Sequence, residues 1–262
     1  MDKTLRTAST GLTAQQRYVE IIANNISNVN TSGFKKVRPE FQDLLYETLM
    51  PAGNTEYSQS PPLNEVQIGS GTELVATTKI FSQGDIKQTN NPLDIAINGE
   101  GFFVVRKPDN SYAFTRDGSF QLDSKGQIVT SQGYILEPGF NLPQDAVGIT
   151  ITRDGIINAI IGSNNEEQAL GQIELARFIN PAGLKSIGDN LFVETPASGS
   201  MYLETPGFNN TGELIQSHIE SSNVDIVEEM INMIIAQRSY ELNSKSVRTA
   251  DEILATAVNL RR

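Results

Sequence analysis

The chain has 262 residues and a formal net charge of −11, and it contains no cysteine, no tryptophan and a single histidine. Without cysteine, disulfides and thiolate metal sites are excluded. The excess negative charge lies in the middle of the chain, residues 46–219, which disfavours binding to nucleic acid or anionic lipid, because such binding needs clustered Lys and Arg.

The first predicted element is a long helix over residues 3–28. Two ladders of seven-residue spacing run along it: Leu5, Leu12, Val19 and Ile26 form one, and Ala8, Gln15, Ile22 and Val29 form the other. Such a spacing keeps one stripe of a helix turned toward a partner helix. The Asn, Ser and Thr residues that follow residue 23 are predicted to end this helix, because their side chains compete for backbone hydrogen bonds.

Residues 35–71 are predicted to form an extended linker, since several prolines and glycines interrupt any regular element there. The part from about 46 to 64 has the polar composition of a disordered loop. It nevertheless carries four large side chains that a spacer would not need, namely Tyr46, Leu49, Met50 and Tyr57. We therefore expect this segment to lie against neighbouring copies of the chain.

Residues 72–219 are predicted to form a β-rich domain, in which short alternating or β-branched runs are separated by Gly, Asn and Asp turns. The predicted strands cover residues 74–80, 101–106, 112–115, 127–130, 148–152, 172–178 and 190–194. Asp117-Gly118 and Asp154-Gly155 each follow such a run, and the Asp-Gly pair predicts a hairpin turn at both places.

Residues 220–262 are predicted to contain a second long helix that begins after Ser222, the expected cap, with Asp225 three residues later as in a capping box. Its predicted contact stripe consists of Ile226, Met230, Met233, Tyr240, Val247 and Leu254. A helix over 223–259 would be about 55 Å long, too long for a small globular core to cover. Residues 1–34 and 220–262 are therefore predicted to pair as a coiled-coil-like inner domain, with the linker and the β-rich domain inserted between them, in an α+β fold.

Catalytic, cofactor and metal sites are not predicted. His218 has no nucleophile or ligand set near it in sequence, the acids after Asp117 lack the spacing of an EF-hand, and the glycine-rich stretches lack the Gly-Lys-Ser/Thr of a phosphate-binding loop. The sequence also lacks a run of ~18 apolar residues for a membrane span and the apolar run of a signal peptide. We expect no nucleic-acid partner and no membrane insertion.

Three groups of motifs resemble the axial proteins of the bacterial flagellum, the family of rod and hook subunits. They are LRTASTGL at 5–12 with ANNISNVNTSGFK at 23–35; SQG at 82–84 with TNNPLD at 89–94 and INGEGFF at 97–103; and SNVD at 222–225 with AQRSYELNSK at 236–245. The resemblance extends over essentially the whole chain. It also places residues 46–64 where subunits of the distal rod carry an insertion that is associated with a straight, stiff rod.

The resemblance implies a structural subunit of the distal rod, which assembles helically with its own copies into a hollow shaft that transmits torque from motor to hook. The implied partners are proximal rod proteins, the hook protein, the ring proteins around the rod and the flagellar type III export apparatus. The implied location is the basal body in the periplasm, reached without a cleaved signal peptide. The alternatives are another rod or hook subunit of the family, or a secreted β-rich carbohydrate-binding protein or enzyme, which would need a cleft of converging carboxylates.

Overall fold

The computed structural model describes residues 2–50, 65–143, 145–162 and 166–259. Within these residues the chain forms a long helix, then twenty strands with one short 3₁₀ helix, Pro181–Gly183, and finally a second long helix. The fold is α+β with helical ends and a β-rich middle, which confirms the predicted layout.

The two helices are α1, Asp2–Ser27, and α2, Ile226–Asn259. The 34 residues of α2 give it a length of about 51 Å. Asp225 caps α2, because its Oδ1 accepts hydrogen bonds from the backbone N–H of Val227 at 2.8 Å and of Glu228 at 3.2 Å. The predicted cap at Ser222 is wrong: Asp225 directly precedes the first helical residue, and a carboxylate there also interacts favourably with the helix dipole.

The chain divides into two compact units. The helical unit comprises Met1–Ser27, Val37–Thr78 and Asp225–Arg262, and the β unit comprises Asn28–Lys36 and Lys79–Val224. The predicted boundaries at 34, 71 and 219 differ from this division. Residues 28–36 group with the β strands because the Gly33 N–H donates to the Glu220 carbonyl at 2.9 Å and the Lys36 N–H donates to Asn223 Oδ1 at 2.7 Å.

Four strands accompany the helices in chain order: β1 Val37–Asp43, β2 Tyr46–Met50, β3 Val66–Gly69 and β4 Thr72–Lys79. β1 pairs with β4, and β2 pairs antiparallel with β3. Residues predicted as an irregular linker therefore include strands, and these strands pair with one another inside the same region of the chain. Residues 51–64, including Tyr57, lie outside the described residues.

The β unit contains sixteen strands within its described residues: β5 Ile86–Gln88, β6 Ile95–Asn98, β7 Phe102–Arg106, β8 Tyr112–Thr115, β9 Phe120–Leu122, β10 Ile128–Thr130, β11 Ile135–Leu136, β12 Ala146–Ile151, β13 Ile156–Ile161, β14 Glu166–Gln172, β15 Leu175–Arg177, β16 Lys185–Gly188, β17 Leu191–Val193, β18 Tyr202–Glu204, β19 Glu213–Gln216 and β20 His218–Glu220. Nine of them form one sheet with the order β16-β17-β8-β7-β11-β10-β9, and β15 joins it by pairing with both β7 and β18. β12, β13 and β14 form a second sheet, while β6 pairs with β19 and β5 with β20.

Strand β7 lies at the centre of the packing in the β unit. Phe103 and Val105 belong to one buried hydrophobic cluster, whereas Phe102 and Val104 belong to another. Successive side chains of a strand point to opposite faces of its sheet, so β7 is covered on both faces. This explains why its sequence is almost continuously apolar rather than alternating.

The two Asp-Gly pairs have different outcomes. Asp154-Gly155 joins β12 to its antiparallel partner β13, and the predicted hairpin is confirmed there. The hairpin predicted at Asp117-Gly118 is wrong, because β8 pairs with β7 and β17 while the following strand β9 pairs with β10. Gly118 instead accepts the N–H of Ile95 at 3.0 Å through its carbonyl, a contact distant in sequence.

Candidate functional site: the terminal helices and the buried charges

Helices α1 and α2 pack against each other in the helical unit. Asn25 Nδ2 donates to Glu229 Oε2 at 3.3 Å, close to the end of α1 and the start of α2. Toward the other end, a Cβ placed on Gly11 would lie 2.9 Å from Asn243 Nδ2. Earlier residues of α1 therefore meet later residues of α2, and the pair is antiparallel.

The seam of this helix pair consists mainly of small and polar side chains. From α2, Glu229, Ala236 and Ala250 are buried and Asn243 between them is half-buried, at a spacing of seven residues. The absence of a side chain at Gly11 permits the close approach to Asn243. The prediction from the sequence was based on a repeat of large apolar residues and therefore missed this stripe. The seven-residue spacing of Glu229, Ala236, Asn243 and Ala250 is a signal that indicates it.

The residues that the sequence assigned to helix contacts have varied exposure in the single chain. Ala8 and Ile22 are buried, and the half-buried ones are Leu5, Leu12, Val19, Ile26, Val29, Met233 and Val247. Ile226, Met230 and Tyr240 are exposed, and the side chain of Leu254 lies outside the described residues. A role for these residues between copies of the chain stays a prediction.

The face of α2 that points away from Ala236 is apolar in its first three turns. Five large side chains on it are between 52% and 66% exposed: Val227, Met230, Ile231, Ile234 and Ile235. The exposed ion pair of Arg238 and Glu241 follows on the same side of the helix. At 100° per residue, Ile234 lies on the opposite side of the helix from Ala236. A contiguous exposed apolar surface of this kind is typical of a protein–protein interaction site. We call it the outer face of α2.

A second apolar surface lies on the hairpin of β2 and β3. Tyr46 faces Gly69 across the two strands, and Met50 faces Val66. Five large apolar side chains of this pair are between 43% and 60% exposed: Tyr46, Leu49, Met50, Val66 and Ile68. Two strands alone are marginally stable in water, so such a hairpin gains stability when a partner covers it.

Three charged side chains are buried together in the β unit. Lys35 Nζ donates to Glu220 Oε1 at 2.6 Å, and Arg116 Nη1 lies 3.5 Å from Glu220 Oε2. The side chains of Lys35 and Glu220 are 0% exposed and that of Arg116 is 4% exposed. Burial lowers the pKa of Lys35 and the pKa of Arg116, and the negative charge of Glu220 opposes both shifts.

This charge cluster joins segments from distant parts of the sequence. Glu220 Oε1 also accepts the Gly84 N–H at 2.9 Å, and Lys35 Nζ also donates to the Ser82 carbonyl at 2.7 Å. The first segment of the β unit, its last strand β20 and the residues before β5 are thereby held together. Sequence reasoning did not assign this role to Lys35, Arg116 or Glu220, since their proximity depends on the fold.

Two cavities bear on the carbohydrate-cleaving alternative, one in each unit. A groove of about 510 Å³ in the helical unit is lined by the hydroxyls of Ser9, Thr10 and Thr13, and its charged residues are Arg17 and Glu73. Among the described residues, no three His, Cys, Asp or Glu side chains are grouped so that they could hold a metal ion. This groove contains one carboxylate, whereas a carbohydrate-cleaving site uses a pair. A cavity of about 140 Å³ in the β unit is lined by Glu137 and Glu174, and Glu137 is paired there with Arg106, whose Nε lies 3.1 Å from its Oε1.

In the part of the chain that the structure describes, neither helix is both long and apolar enough to span a membrane.

Comparison with known proteins gives matches over both ends and the middle of the chain. The flagella basal body rod protein model matches residues 5–35, the flagellar hook protein FlgE/F/G D1 domain model matches residues 96–159, and the flagellar basal body rod FlgEFG protein C-terminal model matches residues 215–260. These regions include α1, the core strand β7 and α2.

Relatives are similar over nearly their full length. The flagellar basal-body rod protein FlgG of Borreliella burgdorferi is 50% identical, with 100% of both chains covered. FlgG of Caulobacter vibrioides is 46% identical, with 98% of both chains covered. FlgG of Bacillus subtilis is 38% identical, again with 100% of both chains covered.

Proposed function

The chain belongs to the FlgG family of flagellar basal-body rod proteins, and on this basis we propose that it polymerises helically with its own copies into the hollow distal part of the rod. It is a structural subunit of the flagellar basal body, since the family consists of structural rod proteins and not of enzymes. In the proposed shaft, which transmits torque to the hook, α1 and α2 form a coiled-coil-like pair and the β-rich residues form a domain inserted between them.

The observation that carries this proposal is the outer face of α2. Inside one chain, α2 uses its small and polar stripe to contact α1, while Met230, Ile234 and their apolar neighbours stay exposed. Burying apolar surface stabilises by roughly 25 cal/mol per Å². Neighbouring copies are the proposed cover, because a polymer places an identical long helix beside every α2.

A single cysteine can report on this burial, since the chain contains none. We expect the Met230→Cys variant to react readily with a thiol reagent as a monomer and to be protected at least tenfold after polymerisation. Position 230 is 53% exposed in the single chain, so the protection would come from other copies. The measurement is the labelling rate of each form by mass spectrometry.

Thr249→Cys is the matched control, because Thr249 is exposed on the same helix between the charged side chains of Arg248 and Asp251. Its labelling rate should change less than that of Met230→Cys. Equal labelling of Met230→Cys before and after polymerisation, with the polymer verified by electron microscopy, would show that the outer face of α2 is not an intersubunit contact.

The hairpin of β2 and β3 is proposed to stiffen the rod by lying against neighbouring subunits. We expect a Tyr46→Ser, Met50→Ser double variant to polymerise into more curved and more flexible rods, because it removes two large side chains that are 55% and 60% exposed in the single chain. Thr48→Ser, between them on β2, is the control. Filament curvature in electron micrographs measures the effect, and straight, stiff rods from the double variant would return this segment to the role of a tolerated linker.

The remaining partners are proposed by analogy with the family. The rod subunit would contact proximal rod proteins below it, the hook protein above it and the ring proteins around it, after passage through the flagellar type III exporter into the periplasm. Support for these partners is the similarity to FlgG proteins over the full length of the chain.

A further inference from the structure

The buried charge cluster of the β unit carries more positive than negative charge. Inside the cluster, Lys35 and Arg116 share one buried carboxylate, that of Glu220, and the exposed Glu100 adds a second negative charge near Arg116. A buried charge without a partner is costly, so an excess cation in the interior favours an additional anion nearby. Glu220 is already shared between Lys35, Arg116 and the Gly84 N–H, which leaves it little capacity for further donors.

Arg116 has one donor that the described residues do not satisfy. Its Nη2 donates to the Gly99 carbonyl at 2.7 Å and its Nη1 reaches Glu220 at 3.5 Å. Its Nε is buried and has no hydrogen-bond partner among the described residues. A buried unsatisfied donor on a charged group is destabilising, so Arg116 Nε favours a bound partner such as an ordered water or an anion.

A cavity of about 70 Å³ adjoins this guanidinium. Arg116 and Arg177 supply positive charge to its wall, Glu100 lies at its charged side, and the rings of Phe81, Phe102 and Phe178 supply the apolar part. The volume is sufficient for a few groups of water size. The guanidinium of Arg116 lies over the face of the Phe102 ring, with its Cζ 5.5 Å from the ring centroid, so the attraction for an anion comes from the two arginines.

We propose that this cavity binds a small monovalent anion from solution, such as chloride, between Arg116 and Arg177. The anion would accept a hydrogen bond from Arg116 Nε and balance the excess charge of the cluster. Arg177 is 39% exposed in its side chain and forms the solvent side of the site, where its Nη1 also donates to the Asn209 carbonyl at 2.8 Å.

The competing occupant is the carboxylate of Glu100. Its Oε2 lies 3.8 Å from Arg177 Nε, and the side chain is 70% exposed. That carboxylate faces mainly toward solvent and is not hydrogen-bonded to Arg116 in the structure. It therefore lowers the net charge near the cavity without satisfying the buried donor.

The test is thermal unfolding of the full chain in sodium chloride and in sodium bromide, with sodium gluconate keeping the ionic strength constant. We expect the unfolding temperature to rise saturably with chloride and with bromide. In the Arg177→Gln variant, the chloride concentration at half-saturation should increase by at least about tenfold, as expected when a charged hydrogen-bond donor is removed. Crystals grown in bromide should show anomalous scattering beside Arg116.

Arg153→Gln is the matched control, because Arg153 is exposed in the β unit and does not line the cavity. It should keep the native chloride response. The absence of a chloride-specific rise in the native chain, or an equal response of Arg177→Gln and Arg153→Gln, would overturn the proposal. A chloride response that emerges only in Glu100→Gln would also overturn it, by identifying Glu100 as the counter-ion.

Discussion

Replacing Ile234 by Asp is expected to abolish polymerisation while the single chain remains folded. Ile234 is 57% exposed on the outer face of α2, so the new carboxylate meets water in the monomer and costs little there. In the proposed polymer the same carboxylate would be buried without a partner, at a cost of several kcal/mol for each subunit. Because every subunit repeats the contact, a shift of this size prevents the growth of long rods.

Sedimentation and electron microscopy would measure assembly, and circular dichroism would measure helix content. Thr249→Asp introduces the same charge at an exposed position of α2 where Arg248, Asp251 and Glu252 already carry charges, and it should assemble like the native chain. If Ile234→Asp still forms native-length rods, the outer face of α2 does not hold the polymer together. If it loses its helix content as a monomer, the effect belongs to folding instead of assembly.

The existence of both helices was predicted from the sequence, whereas the face that α2 presents to α1 was predicted only in part, since Met233 and Val247 are half-buried and the stripe around Ala236 was missed. Seven-residue periodicity identifies a stripe and does not say which partner covers it. The apolar ladder includes Ile226 and Tyr240, which are 45% and 44% exposed. The contact with α1 is instead made by the stripe of Ala236, with Glu229, Asn243 and Ala250. Close packing against Gly11 favours small side chains, and small side chains do not stand out in a pattern of large apolar residues.

In the β unit, predictability follows the distance between pairing partners. The hairpin of β12 and β13 is local and follows from its Asp-Gly turn, although the same pair at 117–118 predicted a hairpin that does not form. The pairing of β6 with β19 joins Ile97 to Leu214, and no local pattern specifies such a partner. The charge cluster was unpredictable for the same reason, because Lys35 and Glu220 are 185 residues apart in sequence.

The family could be identified from the sequence alone, because the resemblance depends on sequence motifs and not on three-dimensional contacts. Several of the motif residues have a physical role in the structure. Asn25 is 2% exposed, and its side-chain amide pairs with the backbone of Val37. Its Nδ2 donates to the Val37 carbonyl at 2.9 Å, and its Oδ1 accepts the Val37 N–H at 3.0 Å. Asn223 Nδ2 donates to the Ile80 carbonyl at 2.8 Å while its Oδ1 accepts the Lys36 N–H. Both side chains satisfy backbone groups where the chain leaves regular structure.

Replacing Glu220 by Gln is expected to destabilise the β unit by about 3–5 kcal/mol, the usual cost of removing one partner from a buried ion pair. The change conserves the size of the side chain but leaves Lys35 and Arg116 buried without a carboxylate. Hydrogen exchange of the amides in β7 and β8 would report the free energy of opening in this unit. Glu213→Gln, at an exposed position on the neighbouring strand β19, should have little effect.

Replacing Lys35 by Met should cost less, about 1–2 kcal/mol, although Lys35 is equally buried. This substitution removes the excess cation and leaves Arg116 paired with Glu220 as a neutral pair, while Glu220 keeps the Gly84 N–H and the Ser82 carbonyl keeps Asn223 Nδ2 at 3.2 Å. The asymmetry follows from charge balance: loss of Glu220 removes the only carboxylate that Lys35 and Arg116 share, whereas loss of Lys35 leaves Arg116 facing Glu220. A Lys35→Met variant that is destabilised as much as Glu220→Gln would show that hydrogen-bond geometry, and not net charge, controls the stability of this cluster.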